Sequence, residues 1–204
     1  MPKFPKVDIT RSIRGRAKPL TVTHQKQLVQ LCQSADIGIG IRVTALLYLQ
    51  GGMMYSEIAR LDIDQQLINL NAGVPHLIID GDTKTKDRKR IVPIVLQPEL
   101  VKAGLEAAIL HCRKSHSHRY KYMAKLLNEA TGESYYHGHA LRHTLRLNAQ
   151  NNGVQDSELA AIGGWASSGR VSTSMLGYGA EGLSSSESVL SLQRASLNIH
   201  RHLL

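Results

Sequence analysis

Apolar residues recur at helical spacing over most of the chain and change to strand-like runs in a single interval. From Thr21 or Thr23, either of which can cap a helix, Leu28, Val29, Leu31 and Cys32 fall at helical spacing. A second apolar helix covers residues 41–49, and Gly51-Gly52 ends it. Ser56 and Glu57 open a short turn of helix through Ile58 and Arg60, and three strand-like runs follow at 67–71, 76–80 and 90–95. Gly73 and the 81–89 stretch supply the turns between them. After Pro98 the helical period returns over 98–113, 119–129, 138–151 and 156–163, and again from Ser186 to His202. No internal repeat interrupts the pattern. The order of elements predicts an α+β fold, mostly helical, with a small three-stranded antiparallel sheet.

Length and composition fit one large domain: 204 residues, 42% of them apolar, can bury a real core. Lys and Arg outnumber Asp and Glu by 25 to 16, a net charge of +9, which makes nucleic acid the leading partner class. Much of the excess stands at the start, where Lys3, Lys6, Arg11, Arg14, Arg16 and Lys18 face a single Asp8 among three prolines. Residues 1–19 are therefore a basic arm or linker, either a solvated tail or an arm along DNA backbone, and 20–204 form the domain. Two cysteines, Cys32 and Cys112, build neither a disulfide framework nor a metal ligand set, so a reduced, cytoplasmic chain is expected. No apolar run approaches the roughly 18 residues of a membrane helix, and the start lacks a signal-type apolar region. One Phe and one Trp offer little for stacking splayed bases, which favours duplex DNA contacted through its phosphates.

Candidate chemistry gathers in the C-terminal half. Helical spacing puts His139, Arg142 and His143 on one side of a helix, where an arginine fork and imidazoles can converge on a phosphate. Gly163-Gly164-Trp165 follows, and Tyr178 stands alone in Leu176-Gly177-Tyr178-Gly179. The 82–90 stretch carries Lys84, Lys86, Arg88, Lys89 and Arg90 with two Asp, a hairpin that reaches DNA or is merely charged and exposed. Lys86, Arg88, Lys89, Arg90 and His143 are the expected DNA-contacting residues. His111, His116 and His118 lie among Arg113, Lys114, Arg119 and Lys121 without metal-ligand geometry; a basic helix end on DNA backbone and a solvated face both fit.

The order of the parts is more specific than any one of them. His139-Ala140-Leu141-Arg142-His143-Thr144, then Gly153, then Ile162-Gly163-Gly164-Trp165, resembles the catalytic domain of the tyrosine recombinases and phage integrases, and the Arg142 to Trp165 spacing agrees with it. Upstream, Gly52-Met53-Met54-Tyr55-Ser56-Glu57-Ile58 is similar to that family's Gly-Leu-Arg-Ile-Ser-Glu block. Lys84, ahead of Arg90-Ile91-Val92-Pro93, resembles its hairpin lysine, with Lys86 as a rival. The resemblance covers about residues 20–200 and implies DNA recombination or integration by a bacterial, phage or mobile-element protein. It implies that Tyr178 attacks a DNA phosphodiester, giving a 3′-phosphotyrosine and a 5′-hydroxyl, with no metal or nucleotide cofactor. Arg142 would hold the non-bridging oxygens, His139 would act as acid/base, Trp165 would donate its indole N–H or pack against the site, and Lys84 would protonate the leaving oxygen. A dimer to tetramer on duplex DNA is also implied, without the separate N-terminal core-binding domain common in the family.

Two positions depart from that pattern. Where the family carries an arginine before Ile-Ser-Glu, this chain has Met54. A thioether cannot neutralise phosphate, and losing one transition-state donor costs on the order of a hundredfold in rate. Arg60 would point about 240° away round a helix, and Arg42 helps only if the fold brings it near. The tyrosine also comes late: its family position falls at Ser174, four residues before Tyr178, after a flexible stretch at 166–170. The chain is therefore expected to be an active DNA-joining enzyme or, alternatively, a catalytically impaired DNA-binding relative with an accessory role. Val189, Leu190, Leu192, Leu197 and Ile199 give the C-terminal helix an apolar face, for a neighbouring protomer or for its own domain.

Overall fold

A computed structural model describes residues 17–79, 90–165 and 186–204. Its helices are α1 (Val22–Leu31), α2 (Ile39–Gly51), α3 (Tyr55–Ile58), α4 (Ile63–Leu70), α5 (Pro98–Cys112), α6 (His116–Thr131), α7 (Gly138–Asn151), α8 (Asp156–Gly163) and α9 (Ser186–His200). Strands β1 (His76–Ile79) and β2 (Arg90–Pro93) pair antiparallel, Leu77 opposite Val92 and Ile79 opposite Arg90. The fold is α+β and mostly helical. No helix among the described residues is long and apolar enough to cross a membrane.

Local chemistry sets the boundaries. Thr21 caps α1 by accepting from the His24 N–H at 3.2 Å. The second helix is buried almost all round, as its continuous apolar sequence requires, and packs chiefly on α5 and α7. It ends where Gly52 takes a left-handed conformation, φ 58°.

The sheet differs from expectation. The described residues form two strands, and the run at 67–71, expected as a third, belongs mostly to α4. Asp62 caps that helix through the Gln65 N–H at 3.1 Å, and Ile68 is left 72% exposed. A side chain then does the work of the missing neighbour. Gln66 donates to the Ile78 carbonyl at 2.9 Å and accepts the Ile78 N–H at 2.8 Å, closing the edge of β1 with one amide.

Two apolar clusters result. The larger surrounds α2; the smaller joins Ile91, Leu145, Leu159, Ile162, Leu192 and Ile199 from β2, α7, α8 and α9. The C-terminal helix thus lies on its own domain. Asn152 donates to the Ile199 carbonyl at 3.2 Å, Asn198 donates back to the Asn152 carbonyl at 3.0 Å, and His202 lies 2.9 Å from Gln25.

Candidate active site

The end of α2 and the middle of α7 meet at Gly52. Its carbonyl accepts a hydrogen bond from Arg142 Nη1. A β-carbon on Gly52 would stand 3.2 Å from Leu145 Cδ2 and 3.4 Å from Arg142 Nη1. Glycine therefore serves both the left-handed turn and the close approach of the guanidinium. On its other side, Arg142 Cζ lies 4.5 Å from the centroid of the Trp165 ring, a cation–π contact. His139, one helical turn before Arg142, and His143 are both exposed on α7. Three segments far apart in sequence are thus brought together: the Gly52 block, the α7 motif and Trp165.

Behind this arrangement is a buried ion pair. Arg90 is 3% exposed and Glu57 8%; Arg90 Nη2 lies 3.0 Å from Glu57 Oε2, and Nη1 donates to the Ile162 carbonyl at 3.1 Å. The same carboxylate oxygen accepts the Met54 N–H at 2.7 Å, fixing the start of α3. Gly164 makes room for the clamp, since a β-carbon there would sit 2.5 Å from Arg90 Nη1 and φ is 64°. Arg90, expected among the DNA-contacting residues, therefore lies inside the fold: a basic hairpin suggested a surface charge, but a buried carboxylate claims this one. The Glu57 partnership was missed, and a glutamate three residues into a short helix was its only sequence signal.

Position 54 keeps a defined backbone seat, yet its side chain is a half-buried methionine packed on the larger core. Arg42 does not replace the family's arginine, because its Nη1 donates to the Cys32 carbonyl at 3.1 Å and the residue is buried. Next to Met54, Tyr55 is held away from nucleophilic chemistry. Burial pushes its phenol above the ordinary tyrosine range, and its hydroxyl donates to the Arg119 carbonyl at 3.3 Å. Burial likewise raises the thiols of Cys32 to about 12 and Cys112 to about 11, so neither is a reactive thiolate at neutral pH. Among the described residues, no three His, Cys, Asp or Glu side chains gather as metal ligands. Lys84, Lys86, Arg88, Lys89 and Tyr178 lie outside the described residues.

The fold is thus a mostly helical domain whose ordered motifs converge on a guanidinium beside an indole. The chain matches the phage integrase family over residues 18–173, and it belongs to that family. No curated protein matches it.

Proposed function

We propose that this chain cuts and rejoins duplex DNA through a 3′-phosphotyrosine intermediate, with Tyr178 as nucleophile. The observation that carries the reading is the placement of Arg142, seated on the Gly52 carbonyl and the Trp165 ring beside the exposed His139. In the reaction the Tyr178 oxygen bonds to phosphorus as its proton passes to His139, and the bond to the 5′ oxygen breaks. Lys84, or its rival Lys86, protonates that leaving oxygen. Arg142 offers its planar fork to the non-bridging oxygens, and Trp165 holds the fork in place.

Lys86, Arg88, Lys89 and His143 contact DNA backbone in this reading, and two to four copies of the chain assemble on DNA. The arm at 1–19 follows the same strand. Its end is tied to the domain, for the Leu20 N–H donates to Thr144 on α7 at 2.8 Å and Lys18 Nζ lies 5.4 Å from the Tyr135 ring centroid. A nicked suicide duplex tests the chemistry by trapping a covalent protein–DNA adduct. The adduct is expected from the chain as it stands and not from Tyr178→Phe; an adduct that survives Tyr178→Phe overturns the nucleophile.

Met54 favours a second reading, a DNA-binding relative that has lost cleavage. The Glu57–Arg90 clamp still holds the backbone of position 54, so a cation placed there would enter a prepared seat. On this reading the chain gives no adduct and Met54→Arg restores one. Adduct formation by the unaltered chain rules it out.

A further inference from the structure

Four of the seven tyrosines, Tyr120, Tyr122, Tyr135 and Tyr136, fall between residues 120 and 136, a concentration hidden by the scarcity of Phe and Trp. On α6 the fold arranges one of them into a row. The Tyr120 ring, 44% exposed, lies 6.0 Å from the His116 ring at an interplanar angle of 19° and 5.5 Å from the His137 ring at 39°. His137 immediately precedes α7, the helix that carries His139 and Arg142. A second link is Arg119, whose guanidinium sits 5.1 Å from the ring centroid of Tyr55, the neighbour of Met54.

Charge selects the partner. No Asp or Glu occurs between Glu106 and Glu129, while Arg113, Lys114, Arg119, Lys121 and Lys125 fall in that interval. Lys114 and Lys121 are exposed, Lys121 next in sequence to Tyr120. Rings interleaved with cations suit a nucleic-acid strand, and a paired duplex hides the base faces that such rings would stack on. We propose that this face of α6 receives the single-stranded DNA end freed by cleavage, its terminal bases stacking on the His116–Tyr120–His137 row and its phosphates meeting Lys114 and Lys121. The inference rests on the DNA-joining reading above, in which cleavage frees such an end.

Fluorescence anisotropy with the full chain tests it, using a blunt mixed-sequence duplex and the same duplex with a short single-stranded extension ending in a 5′-hydroxyl. The extended duplex is expected to bind more tightly. Tyr120→Ala is expected to remove about tenfold of that affinity and leave the blunt duplex unchanged, while Tyr120→Phe keeps it. His116→Ala, at an exposed helix start, should give a smaller loss in the same direction and serves where Tyr120→Ala unfolds. Lys121→Ala should weaken the extended duplex and lower its salt slope by about one. Equal affinity for the two duplexes, or an extension preference untouched by Tyr120→Ala and His116→Ala, overturns the inference while blunt-duplex binding keeps the DNA-joining reading. Absence of binding to either duplex overturns both.

Discussion

Arg90 and Arg142 reach the same short turn, Gly164-Trp165, from different elements of the fold, and their surroundings are opposite in kind. Arg90 comes from β2, is buried, and meets a carboxylate and a carbonyl. Arg142 comes from α7, is half-buried, and meets a carbonyl and an indole. Burying a cation demands a counter-ion, because desolvation otherwise costs several kcal/mol. Glu57 neutralises Arg90, and the result is a structural tie between α3, β2 and α8. Arg142 is positioned by a carbonyl and an aromatic face, and under the DNA-joining proposal it is the guanidinium offered to phosphate. Two identical side chains at one short turn therefore meet opposite surroundings, one tied to a buried carboxylate and the other set against a carbonyl and an indole.

The largest effect that could break this comparison is on stability. Glu57→Leu leaves the Arg90 charge buried without its counter-ion and the Met54 N–H without its acceptor, so a loss of about 3–5 kcal/mol is expected. Arg142→Leu gives up the bond to the Gly52 carbonyl and the cation–π contact with Trp165 at a partly wetted position, about 1 kcal/mol. Urea unfolding of the two variants at neutral pH measures both, and equal losses would erase the distinction.

Acid should strike the Arg90 side more gently. The C-terminal helix packs on β2 and α8, the elements that carry Arg90 and its Ile162 partner. His200 of that helix is fully buried, and burial lowers its pKa to about 4. An unfolded histidine titrates near 6.5, so between these values the unfolded chain binds a proton that the folded chain refuses. The contribution is complete above about pH 6.5 and is lost as pH falls, reaching roughly 2 kcal/mol by pH 5. His111, lowered to about 4 by burial and by His118, Arg119 and Lys114, adds in the same direction. Unfolding followed from neutral to mildly acidic pH should show this decline, and His200→Gln should flatten part of it. An unchanged slope would mean that α9 is not the acid-sensitive element.

Much of this architecture was legible in the chain because its amphipathic segments are long. The helices over 138–151 and 156–163 have the bounds that their apolar period gives. The run at 67–71 misled because Leu67, Ile68 and Leu70 satisfy a strand pattern as readily as the end of a helix, and the decisive contact is a side chain. Gln66 bonds β1 from 12 residues away, which no local period reveals. At the site, motif order marked Arg142, His139 and Trp165. The pairing of Arg90 with Glu57, 33 residues earlier, was invisible, since an arginine in a basic stretch is indistinguishable by sequence from its exposed neighbours.

The smallest expected effect asks which part of Trp165 matters. Trp165→Leu removes the aromatic face against Arg142 but leaves the bond to the Gly52 carbonyl, so stability should fall by only about 0.5–1 kcal/mol. The guanidinium would then lose one of its anchors, and its fork could swing away from the orientation a phosphate requires. Adduct yield from the nicked duplex should therefore fall far more than unfolding free energy. Trp165→Phe separates the two roles available to the indole: a benzene ring still offers a face to the cation but has no N–H to donate. Yield close to the unaltered chain in Trp165→Phe assigns the residue to positioning Arg142. A loss as deep as that of Trp165→Leu assigns it to the indole N–H, and the Trp165 face would then not be what orients Arg142.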